Sequence, residues 1–338
     1  MIPRLDISFP VKRQWQYWFG EQYAAAPGEY LLNHARTGIV MALRAALPNG
    51  GRVGVVAYNC HTVANAVVNA GCTPIFIDVT EDLHIDIASI PSGLDAIVVT
   101  NLFGIRNDIA AIRKRCPDAI IIVDNAHGYG LPVEGDFTVY SINQGKMPAL
   151  GEGGILVVSN QDSVFRQKID DIYASLPKYG YVAQVKLFCS MLVKAIAYSR
   201  CLYWLTMRMK KSSKPEVHQE VLMKQMAPGI RRLYKAWLPS AEQEIERQRK
   251  NATLTSERLK ELKIESLIGE NAFMLIAKTQ DPAALQAWFA ERGVETASPE
   301  SRRTTLYRLP LQQLFRSQGC SRMERSYLRE YQVVPLDQ

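Results

Sequence analysis

Short runs of β-branched and apolar residues alternate with segments of helical spacing through the first half of the chain. The runs are RVGVVA (52–57), TPIFIDV (73–79), DAIVVTNLF (95–103), AIIIVDNA (119–126), DFTVYSI (136–142) and GILVVS (154–159). Several are apolar at nearly every position, the pattern of strands covered on both faces. Between them HTVANAVVNAG (61–71) and NDIAAIRKRC (107–116) repeat apolar residues at helical intervals, the first closing on Gly71. Strands joined by helices predict right-handed crossovers and an α/β fold with a mostly parallel central sheet covered by helices. Ligands of such sheets bind beyond the carboxyl ends of the strands, which directs attention to the residues that end each strand.

The pattern changes after residue 160. Residues 161–262 read as mainly helical, and SAEQEIERQRKNATLTSERLKEL (240–262) spaces its charges three and four apart, as a solvated helix does. Further on, NAFMLIA (271–277) predicts a strand, and DPAALQAWFAERG (281–293) a helix with Pro282 near its start and Gly293 past its end. The division this predicts is a large α/β domain over 1–240 and a small α+β domain over 241–338.

Within the large domain, 172–215 holds eight lysines and arginines and no acidic residue, and its helical faces are apolar nearly all round. No run there approaches the roughly 20 apolar residues of a bilayer span. Two readings remain: helices buried in a homodimer interface, or an in-plane surface touching anionic lipid. The poor separation of charged and apolar faces favours the interface.

Composition narrows the classes of function. A chain of 338 residues that is 47% hydrophobic can bury a sizeable core. Its net charge of +7 suits an anionic ligand such as a phosphate or nucleotide, but no basic motif interleaved with aromatics points to nucleic acid. The cysteines at 60, 72, 116, 189, 201 and 320 form no CxxC pair and no zinc spacing. They predict reduced thiols in a cytoplasmic protein and no metal site. The opening MIPRLDISFPVKRQWQYWF lacks the long apolar core of a signal peptide.

Three places then carry chemistry. In IIIVDNAHGYG, Asp124 follows an apolar run, as a satisfied buried acid or as the partner of a cationic ligand. In YSINQGK, Ser141 ends a strand and Lys146 follows on a glycine-flanked turn, as a solvated surface lysine or as a desolvated nucleophile. In NHARTGIVMALRAAL, Arg36 and Thr37 open a helix whose free N–H groups suit a phosphate or an ordinary cap. Asn101, ahead of LFG, either lines an acceptor pocket or forms a turn. Taken together, an aspartate, a lysine and a phosphate-ready helix start at one sheet edge match what pyridoxal phosphate needs. The lysine bonds the cofactor, the aspartate keeps the ring nitrogen protonated, and the helix start with Ser141 holds the phosphate.

VVTNLFG (98–104), VDNAHGYG (123–130) and YSINQGKMPALGEGG (140–154), in this order and spacing, resemble the DegT/StrS-type sugar aminotransferases, a group of fold-type-I pyridoxal phosphate enzymes. The resemblance is strongest over 35–160 and implies the roles that follow. Lys146 falls on the Schiff-base lysine, Asp124 on the partner of the ring nitrogen, and His127 on the residue that reaches the 3-hydroxyl. Ser141 and the amides of Arg36 and Thr37 fall on the phosphate site. The family's ring-stacking aromatic falls on Cys60, or on His61 with a shift of one residue. The implied reaction moves an amino group, from glutamate, to a keto nucleotide sugar of polysaccharide or secondary-metabolite biosynthesis, in a homodimer.

The chain also departs from the family. Its Ser-Gly-Thr reads His34-Ala35-Arg36, and its Gly-x-Asn-Tyr-Arg element has no counterpart. The other classes are a pyridoxal phosphate enzyme with a non-sugar acceptor or another reaction, and a non-catalytic relative that binds cofactor, partner or lipid. The dehydratase branch carries histidine in place of the lysine, so Lys146 speaks against it. Retention of Asp124, Ser141 and Lys146 together speaks against a non-catalytic relative.

Overall fold

Strands apolar at every position must be covered on both sides, and the central sheet is built that way. The structure, a computed structural model, describes residues 15–159, 163–197 and 220–291 and the strand Tyr331–Pro335. Seven strands, β1 (Glu29–Leu32), β2 (Arg52–Val56), β3 (Thr73–Ile77), β4 (Ala96–Thr100), β5 (Ile120–Asn125), β6 (Phe137–Ser141) and β7 (Gly154–Val158), lie in the order β1-β7-β6-β5-β4-β2-β3. From β3 to β6 neighbouring strands are parallel; β7 runs antiparallel to β6, and β1 antiparallel to β7. The mostly parallel α/β sheet expected from the strand runs is therefore present. The four-residue β1 was not anticipated, being too short to show a period of its own.

The strand side chains alternate between two cores. Ala96 and Val98 of β4 pack with Ile122, Val139 and Leu156 under helices α1 (Ala35–Ala46) and α2 (His61–Asn69). Ile97 and Val99 face the other way, with Ile121 and Val123. That second core also takes Phe273, Met274 and Ile276 from the C-terminal region. Helix α3 (Ile109–Arg115) begins where the Asp108 carboxylate accepts the Ala111 amide at 2.9 Å, a side-chain cap. A third cluster joins Trp18, Leu31 and Tyr140 to Trp237.

Helices α4 (Ser163–Ser175), α5 (Tyr181–Ala197) and α6 (Pro228–Trp237) follow the sheet. On α5, Met191 is buried, whereas Tyr181, Val182, Val185, Val193 and Ile196 face outward. Among the described residues no helix is long and apolar enough to cross a membrane. The remainder of the basic apolar stretch, 198–215, lies outside the described residues.

A second sheet, β10 (Tyr331–Pro335), β9 (Met274–Lys278) and β8 (Glu265–Ile268), is antiparallel throughout. Helix α7 (Ala241–Glu261) packs Ala252 and Leu259 against Leu275, and α8 (Pro282–Glu291) adds Leu285 and Phe289.

Two strand expectations are corrected here. NAFMLIA does not begin a strand at 271: Asn271 to Phe273 form a turn, with Ala272 at φ +51°, and β9 starts at Met274. DAIVVTNLF leaves the sheet after Thr100, and Phe103 turns at φ +54°. In both cases apolar side chains buried from a turn imitate a strand in sequence.

Candidate active site

β5 carries its apolar run to Val123 and ends on Asp124 and Asn125 at the carboxyl edge of the sheet. Asp124 is only 3% exposed. The Ala126 amide donates to its Oδ1 at 3.0 Å and the Thr100 hydroxyl to its Oδ2 at 3.3 Å. Thr100 Oγ1 accepts from Asn59 Nδ2 at 2.7 Å, and Asn59 Oδ1 accepts the Cys60 amide at 2.7 Å. A relay of hydrogen bonds thus ties the start of α2 to the carboxylate. Burial pushes the Asp124 carboxyl above the usual carboxylate range, while the Ala126 amide, the Lys146 charge and the Thr100 hydroxyl pull it back. A buried carboxyl in this position is short of positive charge, and a protonated ring nitrogen is the group that would supply it.

Asn101 is fully buried. Its Nδ2 donates to Asn125 Oδ1 at 2.7 Å, and its Oδ1 accepts Asn107 N at 2.9 Å and Asn107 Nδ2 at 3.1 Å. Of its two sequence readings, the turn is the one realised: the amide fastens the loop after β4 to the end of β5. Asn59, Asn107 and Asn125 escaped sequence reasoning because their partners are distant in the chain and asparagine in loops is common.

Three residues after Asp124, the His127 ring lies between Phe103 (centroids 5.5 Å apart, planes at 18°) and Phe273 (5.1 Å, 25°). Its Nδ1 accepts the Phe103 amide N–H at 3.2 Å.

Ser141 ends β6, buried beside Gly154 of β7. The hairpin between these strands carries Lys146. It closes through Leu150 N to Ile142 O at 3.0 Å and Lys146 N to Asn143 O at 3.0 Å. Met147 sinks into one core and Leu150 into another, so the partly buried Lys146 sits on an anchored loop. Its ammonium is close enough to stabilise the charged form of Asp124. The structure therefore brings together the lysine and aspartate that the sequence placed on separate strand ends.

The start of α1 closes the far side. Gly154 is where β7 passes directly under it: a Cβ there would overlap the His34 carbonyl carbon and the Ala35 nitrogen, so only glycine fits. His34 occupies the N-cap position without a side-chain capping bond, and its Nδ1 instead meets the Asn143 side-chain amide at 3.1–3.2 Å. Burial and the neighbouring Arg36 charge hold the His34 imidazole down at about 4, against the Asn143 contact. Thr37 is fully buried, gives its hydroxyl to Asn33 Oδ1 at 2.8 Å and donates its amide N–H to His34 O at 3.1 Å, so the amide the sequence placed at a phosphate is engaged within the helix start itself.

Arg36 is partly buried beside Cys60 and Glu152, and among the described residues its guanidinium makes no hydrogen bond or ion pair. Cys60 begins α2, its Sγ 3.1 Å from Thr62 Oγ1. Packing around the sulfur raises its pKa, but hydrogen bonds from His61 and Thr62 outweigh that and bring it to about 6. Glu152, of the GEGG turn, accepts the Tyr179 hydroxyl; burial pushes its carboxyl up, opposed by Tyr179, Lys224, Lys194 and Arg36. Glu152 and Tyr179 were not singled out from sequence, since their pairing spans 27 residues.

The donor set fits pyridoxal phosphate: a lysine and a carboxyl within electrostatic reach of each other, a serine hydroxyl on the strand next to Gly154, and a helix start with a cation packed on that glycine.

Comparisons with known proteins agree on the fold and the family. Residues 19–186 match the DegT/DnrJ/EryC1/StrS aminotransferase family. A pleiotropic regulatory protein of Geobacillus stearothermophilus is 28% identical over 158 residues, a stretch covering 42% of this chain and 42% of that protein. Among solved structures, the sugar aminotransferase CalS13 of Micromonospora echinospora superposes with a TM-score of 0.69 at 17% identity, over 99% of this chain and 95% of that one. DesV of S. venezuelae gives 0.68 at 16% identity, over 99% and 93%. 3-Amino-5-hydroxybenzoic acid synthase gives 0.65 at 14% identity, over 91% and 80%. With the motifs, the sheet order and the lysine–aspartate juxtaposition in hand, the chain is a divergent member of the DegT/DnrJ/EryC1/StrS aminotransferase family.

Proposed function

We propose that this chain is a pyridoxal phosphate-dependent aminotransferase that moves an amino group from glutamate to the keto group of a nucleotide sugar in the cytoplasm. The observation that carries the reading is the buried Asp124 carboxyl, raised by burial and within reach of the Lys146 charge. When bound, pyridoxal phosphate supplies an electron sink for the carbanion formed at the substrate α-carbon.

Each residue has a part. Asp124 holds a proton on the ring nitrogen, the condition under which the ring draws electrons. His127 meets the 3-oxygen. Ser141 and the first-turn amide of Arg36 would hold the phosphate, with the helix dipole and the Arg36 charge beside a dianion; the Thr37 amide, engaged by His34 O at 3.1 Å, would join them only by giving up that bond. Cys60 or His61 covers the ring face. Lys146 Nζ would hold the cofactor and, once freed, would act as the base that takes the proton from the substrate α-carbon and as the acid that gives it back. The amino group would pass in this way from the donor to the keto acceptor. The outward apolar side of α5 is read as part of a homodimer contact, and a monomer by light scattering at micromolar concentration would rule that out.

The direct test is the visible spectrum of the full chain with pyridoxal phosphate, before and after glutamate, alongside Lys146→Ala. A band that needs Lys146 and bleaches with glutamate is expected. A band indifferent to glutamate would remove the donor, and the absence of any Lys146-dependent band would remove the cofactor reading altogether.

A further inference from the structure

His127 is held from the C-terminal sheet as well as from its own loop. The turn between β8 and β9 reaches across to the loop that follows β5, and Asn271, 1% exposed, donates from Nδ2 to His127 O at 2.9 Å and to Tyr129 O at 3.2 Å. The Phe273 amide approaches Asn271 Oδ1 at 3.3 Å, which orients the side-chain amide with its N–H groups toward those carbonyls. Phe273 itself stacks nearly parallel to the imidazole, as Phe103 does.

The fit leaves no slack. Gly104 sits at φ +82°, and a Cβ on it would overlap Asn271 Oδ1; a Cβ on Gly269 would overlap the Gly104 backbone. The turn takes the same chain into an uncommon conformation at Ala272, φ +51°, in order to place Asn271 and Phe273 on either side of that contact.

The consequence for the ring is chemical. Nδ1 accepts an N–H from Phe103, so Nδ1 carries no proton. In a neutral imidazole the proton then sits on Nε2, which becomes a donor. A ring free to rotate between Phe103 and Phe273 would lose the Phe103 bond and with it the choice of tautomer.

We propose that Phe273 and Asn271 are positioning residues of the active site: they fix the plane of His127 and keep Nε2 its protonated, donating nitrogen toward the cofactor's 3-oxygen. The direction of that donation rests on the function proposed above; the tautomer and the ring plane do not. The C-terminal region thus belongs to the chemistry of the site and is more than its cover.

The test uses the full chain with nitrogen-15 in its five histidines, His127→Gln serving to assign the signal. Wild type is expected to show His127 as the Nε2–H tautomer, and Phe273→Leu, which keeps an apolar side chain but loses the flat face, to show mixed tautomers. An unchanged His127 signal in Phe273→Leu overturns the proposal. With pyridoxal phosphate bound, Phe273→Leu is expected to move the pH midpoint of the visible band by about half a unit or more, and to have no effect in the His127→Gln background. Equal shifts in both backgrounds mean that Phe273 acts only on general packing, and the proposal falls. If wild type forms no Lys146-dependent band, the proposed function fails by itself, and the tautomer measurement alone decides the role of the turn.

Discussion

The two ends of the site are built in opposite ways. At the aspartate end, Asp124, Thr100, Asn59, Asn101, Asn107 and Asn125 are all buried, and each polar side chain is tied to another protein group. At the phosphate end, Arg36 is partly buried without a hydrogen bond among the described residues, and His34 leaves the helix start uncapped. Saturated buried networks rigidify, because any departure leaves a polar group unpaired at full desolvation cost. Lightly bonded charges are held by their backbone alone, and a ligand dianion completes them. The aspartate end therefore sets geometry before any ligand arrives, whereas the end at the start of α1, on the function proposed above, would be completed by the anion bound there.

The contrast is most sharply tested at its strongest point. Asp124→Asn keeps the acceptor for the Ala126 amide but removes the charge that, on the proposed function, would hold the ring-nitrogen proton. Turnover with glutamate should fall by about 100-fold or more while the folded structure persists. A loss under tenfold by steady-state kinetics would mean that the saturated end serves the fold and not the reaction.

Stability separates the ends next. Asn107→Ala strips Ile85 N of its 2.7 Å acceptor and takes a donor from both Thr100 O and Asn101 Oδ1. It should lower the stability of the cofactor-free chain by about 2–4 kcal/mol in urea. Arg36→Gln, made at the lightly bonded end, should stay within about 0.5 kcal/mol of wild type in the same measurement. Equal losses would erase the distinction.

The smallest effect concerns pH. His34 has its folded-state pKa near 4, below the ordinary 6.5 of an imidazole, so the unfolded chain takes up the proton first. The stability this contributes is complete above pH 6.5 and is lost as pH falls from 6.5 through 4. Over that window wild type should lose about 1–2 kcal/mol more than His34→Asn, measured as the difference between their urea midpoints.

How much of this was legible beforehand depends on where the partners lie. Asp124, Ser141 and Lys146 stand at the ends of apolar runs, and strand topology alone converts that into proximity. The antiparallel return of β7 is also what lets a hairpin carry the lysine back over the same edge, and nothing local distinguishes such a strand from a parallel one. Asn59 and Asn107 carried no signal of their own in sequence, since the groups they satisfy are up to 41 positions away. Phe273 looked like the third residue of a strand, because an apolar residue inserted from a turn has the same composition. Asn101 was weighed as pocket lining or turn, and burial decided for the turn. The chemistry-bearing residues were visible; the residues that hold them still were visible only in three dimensions.

The contact between Gly154 and the start of α1 has one more consequence. Two main chains meet there with no side chain between them, so the spacing from helix to hairpin is a dimension of the backbone, like the gap in a gauge. Side chains around it can be exchanged without altering that gap. His34 and Arg36, where this chain differs from the family pattern, stand on either side of Ala35 at that contact. Such a helix start can change the side chains it presents while keeping its distance from the hairpin.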